Sequence, residues 1–242
     1  MATILQLDQV SKAFGAVTVA DGLSYQLQSG EALGVIGPNG AGKTSMFNLI
    51  TGTMSPDSGR IVLAGEDITR MSAARRCRAG IARSFQVPQP FGGMTVFENA
   101  MVAATQGADL SLRAAERHCL QILEQTQLIA KANVPAGKLT LLERKRLELT
   151  RALCAKPKLL LLDEIAGGLT EGECIALVET IKAVHAGGMT IIWIEHVVHA
   201  LLSVVDRLVV IDFGRKVADG EPQQIMASQQ VQEIYLGIDA NG

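Results

Sequence analysis

Residues Ile4 to Val10 alternate apolar and polar side chains with a period of two, and Leu23 to Leu27 repeats the alternation, which predicts two half-buried strands. Ser11 to Gly15 between them reads as a turn carrying an aromatic, Phe14. The next pattern differs. Ala32 to Ile36 is continuously apolar, the mark of a strand covered on both faces, and Ser45 to Thr51 follows as a helix that Gly52 can cap. Ser55 to Gly59 turns the chain into a strand from Arg60 to Ala64, which Gly65-Glu66-Asp67 closes as a hairpin. Arg75, Arg76 and Arg78 read as a solvated helix face. Gly80 to Gln86 predicts another strand, ended by the spaced prolines Pro88 and Pro90.

From Thr95 to about Gln127 the period becomes helical, through Val96, Ala100, Ala103, Leu112, Ala115, Cys119 and Leu123. No strand pattern interrupts it. This predicts a small helical insertion in a strand-helix core, ending near the Asn133 to Gly137 loop. A second amphipathic helix runs from about Leu142 to Cys154, stopped by Pro157. Strands and helices then alternate again: Leu159 to Leu162, a helix from Glu171 to Ala186, Thr190 to Ile194, a hairpin over Leu208 to Ala218 and a short terminal helix from Val231 to Leu236.

Chemistry enters at the joints of this pattern. Gly37-Pro38-Asn39-Gly40-Ala41-Gly42-Lys43-Thr44 lies between a buried strand and a helix. Its glycines let consecutive backbone N–H groups turn inward, and the helix adds its positive end, so the loop is built for phosphate. Lys43 can reach β- and γ-phosphates, and the Thr44 hydroxyl can ligate Mg²⁺. Asp163 and Glu164 follow four leucines, the pattern of a parallel strand presenting carboxylates at its C-terminal edge. Asp163 can hold Mg²⁺ through water while Glu164 polarises the attacking water. Glu195-His196 ends the next strand, where a histidine can donate to a γ-phosphate or orient water. Phe14 has two readings, a core anchor or a platform for a nucleobase.

Net charge is −2 with dispersed basic residues, which gives no electrostatic footprint for sequence-independent nucleic-acid binding. The four cysteines are widely spaced and read as reduced packing residues. No apolar run reaches the roughly 18 residues that cross a bilayer, and the N-terminus does not read as a signal peptide. With 48% hydrophobic and 19% charged residues, the chain is apolar enough that partners are expected to cover part of its surface.

These residues, in this order, resemble the ATP-binding cassette family of transporter ATPases. The resemblance implies an α/β P-loop NTPase fold: a RecA-like mixed sheet with helices on both faces, an N-terminal antiparallel β subdomain and an inserted helical subdomain. Residues 1–87 and 151–242 would form the core with its β subdomain, and 88–150 the helical insertion. Gly37, Pro38, Asn39, Gly40, Ala41, Gly42, Lys43, Thr44 and Ser45 would bind ATP, with Phe14 stacked on adenine. Glu164, His196 and Gln86 would be catalytic, and Thr44, Gln86 and Asp163 would hold Mg²⁺. The implied partners are a second cassette, two transmembrane permeases and, indirectly, a periplasmic substrate-binding protein. The implied location is peripheral, on the cytoplasmic face of the plasma membrane. Ala20 to Ser24, Phe47 to Gly52, Gly65 to Thr69, Gly80 to Gln86, Ile194 to His196 and Tyr235-Leu236-Gly237 are similar to the cassettes of branched-chain amino acid importers. Urea and short-chain amide importers share much of this wording.

Two departures qualify the resemblance. The family's signature, close to Leu-Ser-Gly-Gly-Gln, reads Leu139-Thr140-Leu141-Leu142-Glu143, so leucines stand where glycines let a backbone approach a γ-phosphate. Glu143 also adds negative charge near an anion. Ala166 to Thr170 lacks the family's aspartate after its leucine. Two cassettes meet head to tail in this family, each signature completing the partner's site. A paralogous partner with an intact signature would complete this chain's own site, and the reciprocal site would turn over slowly or only hold ATP. The alternative is a tolerated variant of full activity in either a homodimer or a heterodimer. Two other classes compete: a cassette acting on DNA or ribosomes, which generally carries a second cassette or a long insertion lacking here, and a regulatory subunit that binds ATP without hydrolysis.

Overall fold

The computed structural model describes residues 2–236, the last two by backbone alone, so Gly237 of the Tyr235-Leu236-Gly237 wording lies outside the described residues. The N-terminal alternation forms a longer hairpin than its pattern predicts. β1 (Thr3–Phe14) pairs antiparallel with β2 (Val17–Gln28), and the expected turn at Ser11 to Gly15 is mostly strand, with Phe14 facing Val17. Bulges after Leu7 and Val10 break the alternation there, which is why the strand looked finished. β3 (Ala32–Ile36) leads to α1 (Lys43–Thr51), and β4 (Ser58–Leu63) and β5 (Glu66–Asp67) return to β1 to complete a four-stranded antiparallel sheet in the order β2-β1-β4-β5.

The chain then passes through α2 (Ala73–Ala79) and β6 (Ile81–Arg83) into the helical block. This block comprises α3 (Val96–Gln106), α4 (Leu112–Gln125) and α5 (Leu141–Cys154), with no strand among its described residues. α3 and α5 each start at a threonine whose side chain and a glutamate three residues on exchange hydrogen bonds with the backbone. A boundary at 150/151 falls inside α5, which continues unbroken and packs Leu149 and Leu153 on the core. After it come β7 (Leu159–Asp163), α6 (Glu171–Ala186), β8 (Thr190–Ile194), α7 (Val198–Leu202), β9 (Arg207–Asp212), β10 (Arg215–Gly220), α8 (Pro222–Ala227) and α9 (Gln229–Leu236).

A six-stranded sheet in the order β10-β9-β3-β8-β7-β6 forms the centre, parallel except for β10. Both faces are covered, which accounts for the unbroken apolar runs. Ile36, Leu160, Leu162, Ile191 and Trp193 pack against α5, α6 and α7, while Leu33, Val35, Leu161, Ile192 and Ile194 pack against α1 and the four-stranded sheet. β6 is shorter than Gly80 to Gln86 because it is an edge strand supported by β7 alone. Only the Ser84 N–H still donates to the Leu161 carbonyl beyond it, at 2.9 Å.

The solvated reading of Arg76 is also overturned. Arg76 is not on a solvated face but 1% exposed. Its guanidinium donates to the carbonyls of Leu49, Ile50, Thr69 and Met71 at 2.6–3.1 Å. Leu49 and Ile50 lie in the last turn of α1, where carbonyls lack intrahelical partners and a cation meets the negative helix end.

Candidate nucleotide and hydrolysis site

The loop from Gly37 to Gly42 joins the C-terminal edge of β3 to α1. Gly37 is obligatory by crowding: a Cβ there would stand 2.0 Å from the Ile211 carbonyl oxygen of β9, and one at Gly42 would stand 2.4 Å from that of Val19 in β2. Gly42 also takes φ 102° as the N-cap, and no side chain caps α1. The first-turn amides of the helix therefore keep their donor capacity for an anion. Asn39, Gly40 and Thr44 are exposed, Pro38 and Ser45 half-buried, and Ala41 is buried against the core. Lys43 is buried, its ammonium donating to the carbonyls of Gly37 at 2.7 Å and Pro38 at 2.9 Å. Burial pushes the Lys43 pKa down, and the carboxylates of Glu164 and Asp163 oppose that shift.

The acids lie at the edges of the neighbouring strands. Glu164 follows β7 in the left-handed backbone region, φ 45°, with its N–H held by the Ile194 carbonyl at 2.8 Å. A non-glycine residue there is strained, a condition that clusters at functional sites. The conformation turns its carboxylate toward two of the residues named from sequence. Gln86 donates to Oε2 at 2.6 Å, and His196 Nε2 lies 2.8 Å from Oε1. Asp163 is buried and bonded through Oδ2 to Arg83 at 2.5 Å.

Arg83, Lys145 and Glu195 were given no role by the sequence. Arg83 also donates to the Asn48 side chain of α1 at 2.7 Å, so it bridges the phosphate-loop helix and Asp163. Lys145, 2% exposed, donates to the Gln86 carbonyl at 2.5 Å. Glu195 is buried at the end of β8 and accepts N–H bonds from His196 and Ala166 at 3.1 Å each and from the Trp193 indole at 3.3 Å. Burial raises the Glu195 pKa and these donors hold it down. Arg83 and Glu195 carry a legible signal, each a charge at the end of an apolar strand where it must find a partner, whereas Lys145 lies in the charged run Glu143 to Arg146 and carries none.

Likeness to known proteins gives the family. The ABC transporter family matches residues 20–167. The chain belongs to that family. As an ABC-type ATPase it binds and hydrolyses ATP. It is 34% identical to the high-affinity branched-chain amino acid transport ATP-binding protein BraF of Pseudomonas aeruginosa, over 97% of this chain and 98% of that protein. It is 31% identical to the lipopolysaccharide export system ATP-binding protein LptB of Escherichia coli, over 99% of each. A crystal structure of an ATP-binding cassette of an ABC transporter in its ADP conformation superposes with a TM-score of 0.89 at 31% identity, over 98% of this chain and all of that one.

Phe14 and the Leu139 to Glu143 segment lie in two other regions of the cassette. Phe14, at the tip of the β1–β2 hairpin, leaves 54% of its surface exposed, with the Lys12 ammonium 5.1 Å from the ring centre. It is not a core anchor. In the signature, Thr140 caps α5 and Glu143 turns back to the Thr140 N–H at 2.9 Å while pairing with Lys131 at 3.1 Å. Those contacts, the Thr140 N–H first, hold the Glu143 carboxyl below its usual range. Leu141 is exposed, and its Cδ2 would be 3.4 Å from a Cβ at Gly168 in this chain's own Ala166 to Thr170 loop. The N-terminus of α1 carries no side-chain cap, whereas α5 is capped by its own Thr140 and Glu143.

Proposed function

We propose that this cassette is the ATP-hydrolysing subunit of an importer for branched-chain or related amino acids, with Glu164 as the residue that polarises the attacking water. The observation that carries the hydrolytic part of this reading is the convergence of Gln86 and His196 on the Glu164 carboxylate, which with Asp163 favours the charged form of Lys43. The Gly37 to Ser45 loop grips the triphosphate through backbone amides, and Lys43 exchanges its loop carbonyls for β- and γ-phosphate oxygens. Thr44 and Asp163, with Gln86, would hold Mg²⁺, which neutralises charge developing on the γ-phosphate. The donor set fits: an exposed hydroxyl, an amide and a strand-end carboxylate whose other contact is Arg83. Residues 88–150 act in this reading as the helical subdomain.

Substrate and assembly rest on likeness and surface. The likeness to BraF favours amino acid transport, LptB belongs to a lipopolysaccharide export system, and urea or short-chain amide import is the nearest alternative. Uptake of labelled leucine, urea and acetamide by cells carrying or lacking the gene separates them; urea or amide uptake alone would overturn the amino acid reading. A groove of about 480 Å³ lined by Phe85, Phe91, Ala103, Gln106 and Ala152 opens beside Gln86, with Val87 exposed nearby. Its apolar rim supports docking of a transmembrane permease there, one permease for each of two cassettes, with a periplasmic binding protein beyond them. No helix among the described residues is long and apolar enough to cross a membrane. In this reading the permeases hold the cassette peripherally on the cytoplasmic face.

Two tests follow from exposed features. Phe14→Ala is expected to raise KM for ATP roughly tenfold with kcat nearly unchanged, because base stacking on an aromatic contributes about 1–3 kcal/mol. Phe14→Tyr should restore it; an unchanged KM in Phe14→Ala would remove Phe14 from the adenine site. The self-capped α5 favours a second, unequal ATP site closed by this chain's Thr140-Leu141-Leu142-Glu143 segment, in a pair with a paralogous cassette. Glu164→Gln in this chain should then abolish most turnover of the pair. The matching change in the partner should cost much less, and equal losses would return the pair to symmetry.

A further inference from the structure

α5 presents a polar stripe to the segment that carries Gln86. Lys145, Glu148 and Arg151 recur at three-residue intervals, which puts them along one side of the helix. All three bond to main chain. The Lys145 ammonium donates to the Gln86 carbonyl at 2.5 Å, the Glu148 carboxylate accepts the Gln89 N–H at 3.0 Å, and Arg151 donates to the Gln89 carbonyl at 3.1 Å. Arg151 also ties Glu148 in place at 2.8 Å. Main-chain bonds at both ends of the segment fix its path whatever its side chains do. Lys145 reaches one point further: its ammonium lies 3.5 Å from the Glu164 carbonyl oxygen. Lys145 and Glu148 are each 2% exposed, so these two side chains are themselves withdrawn from water. Burial pushes the Lys145 pKa down, while Glu195, Glu164, Glu148 and Asp163 favour its charged form.

We propose that Lys145 is a positioning residue that fastens the backbones of Gln86 and Glu164 to the helix bearing Thr140 to Glu143, with Glu148 and Arg151 fastening the far end of the loop. Gln86 then meets the Glu164 carboxylate only while α5 is seated. The helix whose first turn faces a partner cassette thereby sets the geometry of this chain's own hydrolysis site. The inference rests on the roles given above to Glu164 and Gln86.

The test compares Lys145→Met, Lys145→Arg and Glu164→Gln in the assembled transporter. ATP turnover is measured there, and binding of trinitrophenyl-ATP is measured on the intact chain. Lys145→Met is expected to lower kcat roughly 10–100-fold with KM and probe affinity within about threefold, the scale of a misplacement near 1 Å. Lys145→Arg, whose guanidinium can still donate to both carbonyls, should restore most of the loss. Turnover of Lys145→Met within about twofold of the parent overturns the proposal. So does a Lys145→Met chain that fails to fold or loses probe binding in step with kcat, since that marks a general brace, and so does Lys145→Arg as slow as Lys145→Met. Should Glu164→Gln keep full turnover, the catalytic reading itself fails. Should it lose turnover while Lys145→Met does not, only this inference fails.

Discussion

Replacing Glu164 by glutamine is expected to lower ATP turnover roughly 10²–10⁴-fold while leaving ATP binding intact or tighter. The amide keeps the side chain's size but cannot take a proton from water, and it removes a negative charge close to where the γ-phosphate would lie. Gln86 and His196 both spend a contact on this carboxylate, at 2.6 and 2.8 Å, so its position is fixed from two sides and a neutral replacement should sit in the same place. Turnover and trinitrophenyl-ATP affinity of the assembled complex measure the two halves separately. Undiminished turnover would show that another group activates the water, and a parallel loss of affinity would show that Glu164 shapes the site without taking part in the chemistry.

The largest effect on stability should come from Arg76→Ala, at about 2–4 kcal/mol. Four carbonyls now accept from one buried guanidinium, and alanine would leave them without that donor. A shift of this size lowers the thermal midpoint of a chain this long by roughly 4–16 °C. Arg76→Lys should recover only part, since an ammonium cannot spread donors over four carbonyls in one plane. Because two of those carbonyls end α1, the loss should appear as weakened ATP binding before global unfolding. A urea midpoint within error of the parent chain would contradict the assignment of Arg76 to the core.

Some of this was written in local order. The strand, glycine loop and helix over Ala32 to Thr51 lie within twenty residues, and period and loop chemistry alone predict them. The same holds for Leu159 to Glu164, where four leucines announce burial on both faces and two acids mark the strand end. Glu164 could be named because its position relative to the sheet edge follows from the strand itself. Arg76 and Lys145 show where that reasoning stops. Arg76 sits among arginines that look alike in sequence, and its burial arises because the end of α1, some 26 residues earlier, comes to lie against α2. Lys145 meets a carbonyl 59 residues away.

The sequence by itself determined that a phosphate-gripping loop and a strand-end acid pair exist, because each is made by neighbours along the chain. Only the tertiary structure decided that Gln86 and His196 share the Glu164 carboxylate and that Arg83 holds Asp163. Each of those facts depends on which strand edges and helix ends are brought side by side. That choice is made by burying the apolar faces of the central sheet, an energy summed over the whole chain and recorded in no single stretch of it.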